Sequence, residues 1–273
     1  MTQASKPRLC ISTAGLLLAA LVATGCERGP TPAAPEGDAS RFTVAAHDVL
    51  AERLDLDAPG AMQDAQRGFI AAPEGQVQGA DGRVIWDFSA FDFVAGKAPS
   101  TVNPSLWRQA MLNNQAGLFE VTAGVWQLRG FDLANMTLIE GEQGWIVVDP
   151  LTARETAAAA LAFARRHLGD RPVTAVVFTH SHADHFGGVL GVVSAEDVAA
   201  REIPIVAPAG FMEEATSENL LAGPAMTRRS LYMYGDRLPR SAAGLVDNGL
   251  GKAVAYGSIG LLPPTLLVEG RSE

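Results

Sequence analysis

Three of the five histidines in this chain lie within six consecutive residues. His180, His182, Asp184 and His185 directly follow the apolar run VTAVVF (residues 173–178), which is typical of a buried strand. Imidazole nitrogens together with a carboxylate oxygen suit zinc, and less selectively iron or manganese. The residue types and their spacing therefore predict a metal centre in the loop after this strand.

The spacing within the cluster predicts two metal positions. In an extended loop, residues two apart point to the same side, so we expect His180 and His182 to bind one ion. Asp184 and His185, where the chain turns into a helix, are expected to point elsewhere and to bind a second ion. Two ions a few ångströms apart would hold a hydroxide between them as a nucleophile. We assign Asp184 a catalytic role in addition to metal binding.

The alternative interpretation is a solvated polar loop or a set of core histidines. It fits His47 and His167, because His167 falls in the last turn of a predicted helix, where a histidine suits the helix dipole. It does not account for the order H-x-H-x-D-H after an apolar strand. We therefore favour the metal centre.

The elements that must position this loop change in character near Gly117. Residues 41–117 are predicted to form short helices and one hairpin, whose turn is marked by Asp81-Gly82. Asn103 and Pro104 mark the start of a helix that we expect to end at Gly117. Residues 118–273 begin with short strands between tight turns and pass into alternating strands and helices, which predicts sheet layers covered by helices.

Four elements are predicted in this second segment around the histidine cluster. Thr152 and Glu155 have the spacing of a capping box, which would open an alanine-rich helix that stops at Gly169. The other three are a helix near residues 189–193, a strand at residues 203–208 and a helix around residues 211–221.

Charge and composition exclude some functions. The formal net charge is −9 and there is no long basic run, so nucleic acid is not expected as a partner. The hydrophobic fraction of 48% is enough to build a substantial core.

The first 40 residues are predicted to serve export. Residues 1–25 have the basic start and apolar run of a signal peptide, and Cys26 follows the small-residue site LVATG, as in a bacterial lipoprotein. We expect Cys26 to be lipidated, with ordinary signal cleavage as the alternative. Residues 26–40 have the Pro/Gly/Ala-rich composition of a flexible linker. The chain is thus expected to be periplasmic or membrane-anchored, with a lipid anchor as its one contact with the membrane.

The motif H-x-H-x-D-H resembles that of the metallo-β-lactamase superfamily, and other segments resemble one family within it, the linear alkylsulfatases. The resemblance extends from about residue 41 to the last residue. Its most similar blocks are TVNPSLWRQAMLN (101–113), VWQLRGFDLANMTLIEGEQGWIVVDPLT (125–152), THSHADHFGGVLGVV (179–193) and NLLAGPAMTRRSLYMYG (219–235).

This resemblance implies an α/β fold, the αββα sandwich of the superfamily, holding two zinc ions. It implies hydrolysis of alkyl sulfate esters such as dodecyl sulfate to an alcohol and sulfate, and a homodimer for the full-length family. Asp149 matches the acidic residue that these proteins place beside the metal site, although a turn-forming Asp before Pro150 is an equal alternative. Arg228 and Arg229 are not placed in the site.

The resemblance also implies further ligand motifs beyond the last residue of this sequence. From it we expect the chain to be the front portion of a catalytic domain, with an incomplete sandwich and little sulfatase activity of its own. Two alternatives stay open: a superfamily hydrolase of another specificity, and an inactive lipid-anchored fragment.

Overall fold

The centre of the fold is an eight-stranded mixed sheet. The computed structural model describes residues 37–270 of the chain. The strands of the sheet are β1 (Phe69–Ala71), β4 (Gly117–Thr122), β5 (Val125–Arg129), β6 (Met136–Glu140), β7 (Trp145–Val148), β8 (Val173–Val177), β9 (Ile205–Pro208) and β10 (Leu266–Val268). They lie side by side in that order, antiparallel from β1 to β7 and parallel from β7 to β10. A separate antiparallel hairpin is formed by β2 (Gln76–Gln78) and β3 (Val84–Asp87).

Eight α-helices accompany the strands within the described range. They are α1 (Arg41–Arg53), α2 (Pro59–Gln66), α3 (Pro104–Asn113), α4 (Arg154–Leu168), α5 (Ala183–Phe186), α6 (Ala195–Arg201), α7 (Phe211–Thr216) and α8 (Gly223–Tyr234). A 3-10 turn spans Val189–Gly191 and a π-helical turn spans Ser217–Leu221. Between residues 37 and 270, no helix combines the length and apolar character that crossing a membrane requires.

The sheet buries one face fully and the other only in part. Leu138 and Val147 are completely buried, whereas their chain neighbours Ile139 and Ile146 are partly exposed. This alternation places every second side chain of a strand on the same face. The buried face packs on α4, whose buried residues are Thr156, Ala157, Ala160, Leu161, Phe163 and Ala164. The sheet therefore has one core-forming face and one apolar face that remains half-covered.

The mixed α/β architecture expected from the sequence is confirmed. Within residues 37–270 it comprises one large sheet and a two-stranded hairpin. The second large sheet of the expected αββα sandwich is not among these residues.

The hairpin and the helix expected before Gly117 are also confirmed. Gly82 adopts a φ of 76° in the hairpin turn, and the Asn103 side chain accepts a hydrogen bond from Ser105 N at the start of α3. Trp86 of the hairpin and Trp107 of α3 belong to a second apolar cluster, which also contains Leu245 and Val246. The hairpin segment therefore packs against a loop about 160 residues further along the chain.

Two expected helix signals were wrong. The third helix ends at Asn113, and Gly117 instead begins β4, where an added Cβ would lie 2.5 Å from the Ala71 carbonyl oxygen. Thr152 and Glu155 do not form a capping box, because α4 begins after Ala153 without a side-chain cap. Their side chains have more distant partners, described below.

The chain after the histidine cluster differs from expectation in detail. Residues 189–193 contain only the 3-10 turn, and the helix lies later, at α6, where Ser194 Oγ accepts a hydrogen bond from Asp197 N. The strand β9 is confirmed. The helix around residues 211–221 exists, but it continues from α7 into the π-helical turn.

Candidate metal centre

The centre lies where two parallel strands, β7 and β8, end at the same edge of the sheet. Asp149 follows β7, and its backbone N–H donates to the Val177 carbonyl at the end of β8 (2.9 Å). Its carboxylate accepts hydrogen bonds from Thr179 N (2.8 Å) and Thr179 Oγ1 (2.7 Å). Asp149 therefore connects the two strand ends and precedes Pro150 in a turn. Its position agrees both with an acidic residue beside the metal site and with a turn-forming Asp.

The structure brings the four expected ligands together in one cluster. The His180 and His182 rings have centroids 4.6 Å apart, and the His180 and His185 rings have centroids 4.1 Å apart. The Asp184 carboxylate lies 3.3 Å from His185 Nε2. The short helix α5 carries Asp184 and His185 and brings the His185 ring beside His180; that these two residues bind a second ion stays a prediction.

Hydrogen bonding determines which ring nitrogens carry lone pairs. The single hydroxyl proton of Thr179 goes to the Asp149 carboxylate, so Thr179 Oγ1 accepts from His180 Nδ1 (3.0 Å). His182 Nε2 lies 3.2 Å from the Glu218 carboxylate, and because a carboxylate only accepts, this contact favours the proton on that nitrogen. When both rings are neutral, His180 Nε2 and His182 Nδ1 therefore face each other with lone pairs, 3.1 Å apart.

This pair of lone pairs fits a metal ion. Two nitrogens bound to one tetrahedral zinc at ~2.0–2.1 Å are separated by roughly 3.3 Å. The distance of 3.1 Å between His180 Nε2 and His182 Nδ1 is close to that value. Burial lowers the pKa of His180, as do the charges of His185 and His182, and a low pKa keeps the ring neutral for coordination.

His185 is held differently, between two carboxylates. Its Nδ1 lies 2.8 Å from Asp149 Oδ2 and its Nε2 lies 3.3 Å from Asp184 Oδ2. Burial disfavours the imidazolium, but these two hydrogen bonds outweigh it and raise the pKa of His185 to about 9. Although burial opposes it, the contact with His185 lowers the pKa of Asp184.

The engagement of His185 limits the preformed site. Within residues 37–270, no group of three or more His, Cys, Asp or Glu side chains is already arranged around a common metal position. Both ring nitrogens of His185 are hydrogen-bonded to carboxylates, so they do not point at the His180–His182 pair. The donor types suit zinc, and one chelating pair is in place.

Two glycines after the cluster allow the loop to sit close to the sheet. A Cβ on Gly187 would lie 2.4 Å from the Thr152 carbonyl oxygen, and one on Gly188 would lie 2.1 Å from that of Pro150. Gly188 N also donates to the Leu151 carbonyl (2.9 Å). The Gly-Gly pair is therefore required by the close approach of the 149–152 turn.

The 149–152 turn is strained and is held by a buried carboxylate. Asp149 and Leu151 adopt φ values of 55° and 64°, which cost non-glycine residues about 1–3 kcal/mol each. Asp132, which is 2% exposed, accepts hydrogen bonds from the Thr152 backbone and side chain. Further donors to this carboxylate are Leu133 N, Ala153 N, Thr156 Oγ1 and Ala255 N.

Three contributors were missed by the sequence interpretation. Thr179 directly precedes the motif, and Asp132 could have been noticed as an acidic residue between apolar ones in GFDLANM. Glu218 has no local signal, since it lies 36 residues after His182 and comes from the π-helical turn. Arg228 and Arg229 lie exposed on α8, and Cys26 lies outside the described residues.

Comparison with known proteins agrees with this geometry. Residues 129–270, just over half of the chain, match the family model described as the metallo-beta-lactamase superfamily. The chain is 45% identical to a linear primary-alkylsulfatase from a Pseudomonas species over 265 residues, which are 96% of this chain and 39% of that relative. It is 46% identical to an (R)-specific secondary-alkylsulfatase from a Pseudomonas species over 258 residues, or 93% of this chain and 39% of that relative.

A solved structure is similar over most of the described fold. It is that of the stereoselective inverting sec-alkylsulfatase Pisa1 from a Pseudomonas species, with a TM-score of 0.82 and 46% sequence identity. The match covers 86% of this chain and 38% of that one. The chain thus spans about two fifths of the length of the curated relatives it matches.

Proposed function

Because this chain belongs to the metallo-β-lactamase superfamily, we propose that it acts in the metal-dependent hydrolysis of alkyl sulfate esters to an alcohol and inorganic sulfate. The proposed metal dependence rests on the facing lone pairs of His180 Nε2 and His182 Nδ1, two nitrogens that lie 3.1 Å apart. The substrate class rests on the similarity to a primary and a secondary alkylsulfatase.

Membership of the superfamily implies metal binding, and we propose that the metal is zinc, with two ions. His180 and His182 would hold one ion, and Asp184 and His185 would hold the other. Zinc, when bound, supplies a Lewis acid and lowers the pKa of bound water toward neutrality. We propose Asp184 as the catalytic carboxylate, because it belongs to the cluster and contacts His185 (3.3 Å).

The remaining residues of the centre orient these ligands. Asp149 accepts the Nδ1 proton of His185, and Thr179 accepts the Nδ1 proton of His180. Such partners of ligating histidines fix the ring orientation and raise the basicity of the coordinating nitrogen. The Asp149 carboxylate also accepts a hydrogen bond from the Thr179 hydroxyl. It therefore orients His185 directly and His180 through Thr179.

We further propose that the protein is exported and is anchored by lipid at Cys26. The proposal rests on the small-residue site before Cys26 and the linker after it. Mass spectrometry of the mature N-terminus tests it, and an unmodified terminus at Glu27 or later would contradict it. The homodimer expected for the full-length family is tested by sedimentation of the purified protein.

The decisive experiment measures sulfate release from dodecyl sulfate by the purified protein that contains these 273 residues. Metal content is determined on the same preparation, and lactones and β-lactams are offered as competing substrate classes. Sulfate release, whatever its rate, should be abolished by a chelator and restored by zinc. Turnover of a lactone or a β-lactam without sulfate release would instead assign the chain to another specificity of the superfamily.

A further inference from the structure

A π-helical turn places an acidic side chain against the metal cluster. Between α7 and α8, the turn Ser217–Leu221 is closed by the bond from Ala222 N to the Ser217 carbonyl (3.0 Å), five residues apart. Such turns are rare and occur frequently at functional sites. Here the turn carries Glu218, whose Oε1 lies 3.2 Å from His182 Nε2.

We propose that Glu218 is a positioning residue that fixes the proton of His182 on Nε2 and so leaves Nδ1 as the metal-facing nitrogen. A carboxylate has only acceptors, so the nitrogen that faces it must carry the proton. The other nitrogen, Nδ1, then faces His180 Nε2 across 3.1 Å. This assignment rests on the proposed metal-dependent function, because it concerns the ligand pair of that site.

Other groups near the cluster do not serve this purpose for His182. Asp184 and Asp149 are hydrogen-bonded to His185, and the Thr179 hydroxyl is bonded to His180 and Asp149. The His182 side chain is 57% exposed, so without a partner its ring is free to rotate and to exchange tautomers. Glu218, at 29% exposed, is the less exposed member of the pair.

The π-helical turn inserts one additional residue between α7 and α8. Glu218 is the second residue of this turn, so the irregular backbone and the contact with His182 lie at the same place in the chain.

The test compares Glu218→Met, which removes the acceptor at similar length, with Glu218→Gln, which keeps an acceptor oxygen. Glu214→Met serves as the matched control, because it lies one turn earlier on an exposed part of α7. Nitrogen-15 NMR of the histidine rings in the metal-free proteins at about pH 8 distinguishes the two tautomers of His182. Zinc affinity is then measured by competition with a chromophoric chelator.

We expect the wild type, E218Q and E214M to hold the proton of His182 on Nε2, and E218M to show a mixture of tautomers. Zinc affinity should fall about tenfold in E218M and be largely restored in E218Q. The proposal is overturned if E218M keeps the wild-type tautomer or if E218M and E214M bind zinc equally well. A tautomer contrast in a protein that releases no sulfate would support the Glu218 assignment while contradicting the proposed function, since the NMR measurement requires neither metal nor substrate.

Discussion

Replacing Asp132 by Asn should destabilise the fold through the turn that carries Asp149. The Asp132 carboxylate is 2% exposed and accepts six hydrogen bonds, three at each oxygen. An asparagine replaces one oxygen by an NH2 group, which cannot accept. Either orientation leaves two backbone N–H groups facing that NH2, either those of Leu133 and Ala255 or those of Thr152 and Ala153.

The magnitude follows from these two orphaned donors. Each buried N–H without an acceptor costs about 1–3 kcal/mol, so the two together cost about 2–6 kcal/mol. Burial raises the pKa of Asp132, so the neutral amide recovers part of this loss by avoiding the cost of burying a charge. We therefore expect the free energy of unfolding to fall by about 3 kcal/mol, a large part of the roughly 5–15 kcal/mol of a typical domain.

Urea unfolding of the metal-free protein, followed by fluorescence of its four tryptophans, measures this loss. Asp87→Asn is the matched control, because Asp87 accepts hydrogen bonds from Ser89 and Gln76 at the surface of the hairpin. Its cost should stay below about 1 kcal/mol, since water replaces the lost acceptor. A loss for D132N as small as that of D87N would refute the view that Asp132 holds the strained turn.

Three further predictions concern the cluster and its support. Because the pKa of His185 is raised to about 9 from 6.5, its stabilisation is fully present below pH 6.5 and is lost as the pH rises through 9. The metal-free protein should thus lose about 2 kcal/mol in unfolding free energy between about pH 6 and pH 8, and His185→Gln should lack this slope. Gly188→Ala should lower the free energy of unfolding in urea by more than about 2 kcal/mol, because the added Cβ would lie 2.1 Å from a backbone oxygen. Gly60→Ala is the control, since an added Cβ there meets open space. Equal losses for the two variants would contradict the packing argument. His180→Asn should weaken zinc binding by at least about 100-fold in chelator competition, and an equal loss for the surface variant His167→Asn would rule out His180 as a ligand.

The core of the centre could be predicted from the sequence because its geometry is local. His180 and His182 are two residues apart after a strand, so their proximity follows from backbone geometry alone. The close approach of the His185 ring to His180 could not be predicted, because the chain after α5 packs closely on Pro150 at Gly188, and no spacing rule contains that contact. Glu218 could not be predicted, since it reaches the site through a π-helical turn far along the chain.

The fold shows the same division between local and distant determinants. The strands were predictable because their two signals, alternating apolar residues and turn residues at the ends, lie within a few positions of each other in the chain. The capping box failed because its two side chains bind distant partners: the Thr152 hydroxyl donates to Asp132, and Glu155 accepts from Ser258 N and Oγ. The helix α8 was not predicted because it buries no residue, and so no apolar stripe marks it in the sequence.

In the His185 part of the centre, a proton occupies a place that suits a cation. His185 is protonated between Asp149 and Asp184, with a pKa of about 9, so the two carboxylates stabilise positive charge before any metal arrives. His180 Nε2 and His182 Nδ1 lie 3.1 Å apart, close to the separation of two nitrogens on one zinc ion. A metal that binds His185 must release its proton, because coordination uses the neutral ring. Within residues 37–270, no group of three ligands is preformed. Metal binding does not require one, because the two carboxylates that hold His185 as imidazolium would also attract the ion that replaces its proton.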